Sequence, residues 1–249
     1  MLEFNQVSVR HGGKQILRDI TFAVRPHRLT ALVGRNGSGK STLLNAANQQ
    51  LPYTGEILEG EKNLALISPR ERAKTVAILP QTMPTPHVTV GEMVAFGRNP
   101  YLDFTGRLTD KDRQMVDTAL VDASAADLAD RYADTLSGGE LQRVRLAMIL
   151  AQNTPIALLD EPTSHMDPSH EVAFLELLTD LKKRKKKTFL VILHDLTLAA
   201  EYADDIVILD GGEVVFAGTK EDCLAQKMME KTFSLKRYTT ENKIFFSAK

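Results

Sequence analysis

The sequence predicts an α/β protein built on a largely parallel sheet. Short β-type runs alternate with helical patterns along 249 residues. Three of those runs are almost wholly apolar instead of alternating, as strands covered on both faces are. One of the three leads into a glycine-rich loop that opens a helix. Composition fits a globular chain: 43% of residues are hydrophobic, and 31 Lys and Arg meet 32 Asp and Glu for a net charge of -1. This excludes a disordered or collagen-like chain and argues against nucleic acid as the main partner, which would require a basic surface excess. A chain of this length buries a core without disulfides. Its single Cys223 could form no internal one, which points to a reducing compartment. No apolar run approaches the roughly 18 residues of a spanning helix, and the start MLEFNQVSVRHGG lacks the basic and then apolar segments of a signal peptide.

Leu2 to Val9 and Thr21 to Val24 read as the first strands. Leu29 to Val33 is nearly all apolar and therefore central. It runs into Gly34-Arg35-Asn36-Gly37-Ser38-Gly39-Lys40-Ser41-Thr42 and then a helical pattern through Leu43, Leu44, Ala46 and Ala47. That is G-x-x-x-x-G-K-S in the strand, loop, helix setting the motif requires. Glycines 34, 37 and 39 let amide N–H groups crowd against phosphate oxygens with no side chain between, and the helix start adds a positive dipole end. Lys40 supplies a mobile charge for the β and γ phosphates, and the Ser41 hydroxyl can ligate Mg²⁺. Thr75 to Leu79 is the next expected strand. Gln81 follows it; a loop glutamine is normally only solvated, and this one gains weight from its place after a strand of the same sheet. From about residue 84 to 151 the patterns are helical, at Val90 to Gly97, Asp110 to Val121 and Gly139 to Ala151. They read as a helical insertion into a core formed by residues 1–83 and 152–249.

Ile156 to Asp160 is an apolar strand ending in the pair Asp160-Glu161, where an open α/β sheet places its ligands. Successive strand side chains point to opposite sides, which gives the two acids separate tasks: Asp160 to hold Mg²⁺ or its water, Glu161 to polarise a water attacking the γ-phosphate. A helical pattern through Val172, Leu175, Leu178 and Leu181 closes on Lys182 to Lys187, KKRKKK. That run could be a nuclear signal, a nucleic-acid patch or a membrane contact. Cations at the negative end of a helix explain it more simply. Phe189 to Leu193 is the next buried-type strand, followed by His194 and Asp195; a lone histidine is most often just a satisfied polar group. Ile206 to Leu209 is the last expected strand.

Leu136-Ser137-Gly138-Gly139-Glu140 reads as a second phosphate-binding helix start, with the Ser137 hydroxyl and the amides of Gly138 and Gly139 presented to an anion. Two phosphate grips on different parts of one chain suggest a nucleotide clamped between two copies. At this point the sequence resembles the ATP-binding subunits of ABC transporters, over nearly its whole length. The matching motifs are the phosphate loop at Gly34 to Thr42, Gln81, the signature Leu136 to Glu140, Asp160-Glu161, the loop Ser164-His165-Met166-Asp167 and His194. The resemblance implies a P-loop NTPase core of the RecA-like type, with an antiparallel β portion and an inserted α-helical signature subdomain. ATP and Mg²⁺ are the implied cofactors, with Glu161, His194 and Gln81 in catalysis and Ser41, Gln81 and Asp160 around the metal. Ser137, Gly138, Gly139 and Asp167 join the phosphate loop as implied nucleotide contacts. The implied assembly is a head-to-tail homodimer working with two integral membrane permease subunits and, indirectly, a substrate-binding protein, on the cytoplasmic face of the cell membrane.

Thr89-Val90-Gly91-Glu92, Gly97-Arg98-Asn99-Pro100-Tyr101 and Pro162 to Asp167 resemble the branch that imports iron(III) siderophores, haem and vitamin B12. The expected activity is therefore ATP hydrolysis that energises uptake, of an iron(III)-siderophore foremost. The chain departs from the family at His11-Gly12-Gly13, where a tyrosine usually stacks on adenine. Imidazole can stack with a smaller face, or His11 is a polar turn residue. A DNA-repair relative would carry a long coiled-coil insertion, and a ribosomal one usually a second ATPase domain. A P-loop kinase or GTPase would not need residues 136–140, and no guanine-reading Asn-Lys-x-Asp motif is present.

Overall fold

A computed structural model describes residues 1–164, 166–240 and 244–248. The chain opens with a hairpin of β1 (Leu2–His11) and β2 (Lys14–Val24), then β3 (Leu29–Gly34), the glycine-rich loop and α1 (Lys40–Ala47). Next come β4 (Thr54–Glu59), β5 (Lys62–Asn63), α2 (Pro69–Thr75) and β6 (Val76–Leu79). Between β6 and β7 the described elements are helical: α3 (Val90–Ala95) running into a 3-10 turn at Phe96–Tyr101, α4 (Asp110–Asp122), two short 3-10 turns and α5 (Gly138–Ala151). After β7 (Ile156–Leu159) follow α6 (Pro168–Lys185), β8 (Thr188–Ile192), α7 (Leu196–Tyr202), β9 (Asp205–Asp210), β10 (Glu213–Thr219), α8 (Lys220–Ala225), α9 (Met228–Phe233) and the hairpin β11 (Leu235–Thr239) and β12 (Ile244–Ala248).

The main sheet has the order β10-β9-β3-β8-β7-β6, parallel except for the antiparallel edge strand β10. Its inner strands β3, β7 and β8 are buried at almost every position, because helices or a second sheet cover each face. Ala31 and Val33 face the core shared with Phe174 and Leu178 of α6, whereas Leu32 faces the core shared with Leu43 and Leu44 of α1 and Phe4 of β1. Burial on both faces is why these runs carry no polar alternation. The antiparallel sheet β2-β1-β4-β5 lies on the second of these cores, where the rings of Phe4 and Phe22 stack 4.6 Å apart.

The three helices of the 90–151 stretch start alike. Thr89, Thr109 and Ser137 each accept a hydrogen bond from the backbone N–H three residues on, and Glu92, Asp112 and Glu140 each accept one back from the cap residue's N–H. These are capping boxes, and they fix each helix start independently of its packing.

Several sequence-based boundaries are corrected. β2 begins at Lys14, not at Thr21, because its first half alternates with polar residues and bulges against β1. Thr75 ends α2, its hydroxyl donating to the Glu71 carbonyl, so the strand starts at Val76. Strands β4, β5, β10, β11 and β12 escaped the reading. They are short or half exposed, most of them at sheet edges, and lack the continuous apolar signal of the centre.

Candidate active site

Strand order decides what meets. In the run β3-β8-β7-β6 every neighbour is parallel, so the carboxyl ends of four adjacent strands open on one edge. The phosphate loop follows β3, His194 follows β8, Asp160 and Glu161 follow β7 and Gln81 follows β6. Asn36, Gly37, Gly39, Lys40, Ser41, Thr42, Gln81, Glu161 and His194 line one open cavity of about 520 Å³, together with Ile16 from β2.

The loop is built for backbone approach. A Cβ on Gly34 would overlap the Leu209 carbonyl oxygen and Ser38 Oγ, and Gly39, at φ +102°, would drive one into Leu17. Both positions are therefore closed to other residues. Ser38 is buried and its Oγ has no hydrogen-bond partner among the described residues. Lys40 is 5% exposed and donates from Nζ to the carbonyls of Gly34 (2.9 Å) and Arg35 (3.1 Å). Burial pulls its pKa below the ordinary lysine value, against the attraction of Glu161 and Asp160. An ammonium held over a glycine-lined cradle by weak carbonyl partners is the arrangement an incoming anion completes.

The two acids do separate, but not by strand alternation. β7 ends at Leu159, and Asp160 is the first residue beyond it. Asp160 is 6% exposed, accepts a hydrogen bond from Ser41 Oγ at 3.1 Å, and has its pKa raised by burial. A hydroxyl and a carboxylate oxygen side by side form a donor set that suits a hard divalent cation. Glu161 takes a left-handed backbone, φ +50°, uncommon for a residue with a Cβ. That turn swings its carboxylate to Gln81 Nε2 (2.5 Å), His194 Nε2 (2.5 Å) and Ser164 Oγ (3.1 Å). Ser164 and Ile16 were not among the residues expected at the site. Ser164 reaches Glu161 through the tight turn 161–164, closed by a Ser164 N–H to Glu161 carbonyl bond of 3.1 Å.

The remaining predicted residues lie outside this cavity. His11 sits exposed at the tip of the β1–β2 hairpin, paired with Lys14 across the turn. Ser137, Gly138 and Gly139 start α5, where the Ser137 hydroxyl and N–H both donate to Glu140 (2.7 and 2.8 Å). Asp167 caps α6, accepting from the Ser169 and His170 backbone (3.1 Å each), the Ser169 hydroxyl (2.7 Å) and His170 Nδ1 (2.6 Å). These donors hold its carboxyl far below the usual carboxylate range. His165, quoted in the same loop, lies outside the described residues.

Known proteins resemble this chain. The model of the family described as ABC transporter matches residues 17–164. The iron(3+)-hydroxamate import ATP-binding protein FhuC of Bacillus subtilis (strain 168) is 36% identical, over 94% of this chain and 88% of that protein. The hemin import ATP-binding protein HmuV of Pseudomonas aeruginosa is 40% identical, over 94% of this chain and 93% of that protein. Among solved structures, cbiO1 from Clostridium perfringens, part of the ABC transporter complex cbiONQ, superposes with a TM-score of 0.80 at 26% identity, over 92% of each chain.

Proposed function

The chain belongs to the ABC transporter family, and on that premise we propose that it is the ATP-hydrolysing subunit of an importer that takes up an iron(III)-siderophore. One observation carries the catalytic half. The Glu161 carboxylate is gathered by Gln81 and His194 at the rim of a cavity floored by Lys40 and Ser41. The transported class is supported by the relatives, which include importers named for iron(3+)-hydroxamate, petrobactin and ferric enterobactin.

In this reading Lys40 exchanges its bonds to the Gly34 and Arg35 carbonyls for terminal phosphate oxygens of ATP, and the amides of Gly37 and Gly39 face the same charge. Ser41, Asp160 and Gln81 would hold Mg²⁺, which neutralises charge on the transferring phosphoryl group when bound. Gln81 and His194 occupy both oxygens of Glu161. Their withdrawal frees the carboxylate to accept a proton from water. His11 would lie against the base. Ser137, Gly138 and Gly139 would grip the phosphates held by a second copy in a head-to-tail dimer, a reading supported by their lying away from the chain's own cavity. Residues 84–151 would form a helical subdomain of a core made by 1–83 and 152–249. Among the described residues no helix is long and apolar enough to cross a membrane, so the path across the bilayer would belong to two separate permease chains, fed by a substrate-binding protein. The subunit would work at the cytoplasmic face.

The higher identity to a hemin importer, 40%, favours haem as the second reading. Uptake of labelled ferric siderophores, haem and cobalamin in a deletion strain separates them. We expect ferric-siderophore uptake to fail and to return with the wild-type gene but not with Glu161→Gln. A defect confined to haem would establish the second reading. One confined to cobalamin or to an exported compound would refute both.

A further inference from the structure

His170 lies in the first turn of α6, outside the family motifs, and its ring stands beside two of them at once. Its Nδ1 meets Asp167 Oδ2 at 2.6 Å, and its backbone N–H donates to Asp167 Oδ1 at 3.1 Å. The other side of its ring faces Gly139 closely: a methyl group built there would stand 3.3 Å from His170 Cδ2 and 3.4 Å from Cγ. The imidazole thus stands between the start of α5, which offers Ser137, Gly138 and Gly139, and the cap of α6, seven positions or fewer from Asp160 and Glu161.

The seam beneath the ring is loosely filled. Gly139, Arg143, Met166, His170, Phe174 and Leu177 line a cavity of about 160 Å³ there, and Arg143 Nε is buried without a partner among the described residues. With open space behind it, which transmits no contact force, the ring facing Gly139 is the close approach that bears on the spacing of the two helix starts. We propose that His170 is a positioning residue: its ring sets the signature segment of a chain at a fixed offset from that same chain's Asp167 and carboxylate pair. The inference rests on the reading above, in which residues 137–139 complete a partner's site. A change at one chain's hydrolytic centre would then reach the nucleotide held by the other chain through this imidazole.

The test uses the full chain. His170 has a side chain 53% exposed, so His170→Ala is expected to fold with an unchanged melting temperature. Combined with Glu161→Gln, it should still bind ATP as a monomer with wild-type affinity, because no residue of its own cavity changes. It should need about tenfold more ATP to form dimers, and without Glu161→Gln it should lose about tenfold in kcat, as expected for misplaced contacts. His170→Phe keeps a ring facing Gly139 and should recover most of the loss, a rescue that a purely structural role for the Asp167 bond would not give. If Glu161→Gln abolishes hydrolysis while His170→Ala, or His170→Asn should the alanine variant not fold, dimerises and turns over as wild type, the positioning role is overturned and the ATPase reading stands. If Glu161→Gln itself hydrolyses ATP at the wild-type rate, the ATPase reading falls, and the inference with it.

Discussion

Glu140 keeps half of its side-chain work invisible to the sequence. The segment Ser137 to Glu140 closes as a capping box, and its electrical consequence needs geometry. The Ser137 hydroxyl and N–H both donate to Glu140 Oε2, Arg131 lies 2.8 Å from Oε1, and together they hold the carboxyl down at about 2 against an ordinary 4.5. A folded-state pKa below the unfolded one stabilises the fold above about pH 4.5, and that contribution is lost as pH falls towards 2. In Ser137→Ala the Glu140 carboxyl should titrate closer to 4.5, followed by carboxyl NMR; a titration still centred near 2 would contradict the account. The placement of the glycine-rich loop and the acid pair at strand ends was legible because each motif joins residue type, spacing and strand context. The left-handed turn at Glu161 was not, since strand alternation says nothing of the first residues beyond a strand's end. The run at 182–187 shows the same limit: Lys182 bonds Asp204 at 2.6 Å, and Arg184 and Lys185 meet Asp122 at 3.5 and 3.0 Å. The helix-end reading stood on periodicity, but of the acids that neutralise the run only Asp180, 2.6 Å from Arg184, lies on the same helix; Asp122 and Asp204 come from elsewhere in the chain.

At the scale of elements, Gly97 to Tyr101 turns from a family marker into a strut. Arg98 is 4% exposed, its Nε meets Asp112 at 3.0 Å, its Nη1 donates to the Ala151 carbonyl at 2.6 Å, and its guanidinium lies 3.9 Å from the centre of the Tyr101 ring. One side chain thereby ties the 3-10 turn to the start of α4 and the end of α5. Removing it leaves Asp112 buried and short of its charge partner. Arg98→Ala should cost about 3 kcal/mol of stability in denaturant unfolding, and Arg98→Lys should recover only part, because a lysine cannot serve a carboxylate, a carbonyl and a ring face in one plane. A loss below about 0.5 kcal/mol, the range of ordinary surface changes, would show that the strut bears no load. The helices of this stretch were readable from their period, and their capping boxes emerged only in the structure. The antiparallel strands β4 and β10 were not, because they carry exposed residues at alternate or successive positions and gain their order from pairing with other strands.

For the molecule as a whole, the parallel order β3-β8-β7-β6 assembles residues from positions 34 to 194 on one sheet edge, and that convergence underlies the proposed ATPase. The class of sheet was legible from its apolar strands; strand order, which decides what meets, was not, because pairing between strands leaves no local pattern. The account divides labour sharply: Lys40 and the loop hold phosphate charge in the bound state, whereas Glu161 is needed only as water attacks, so removing its charge should spare binding and remove turnover. The most direct measurement is ATP hydrolysis by the purified Glu161→Gln chain, with its mass followed by light scattering in the same sample. The account predicts that ATP stays bound, that turnover falls at least about a hundredfold, as for loss of a general base, and that the mass doubles to that of a dimer. Hydrolysis near the wild-type rate would contradict it.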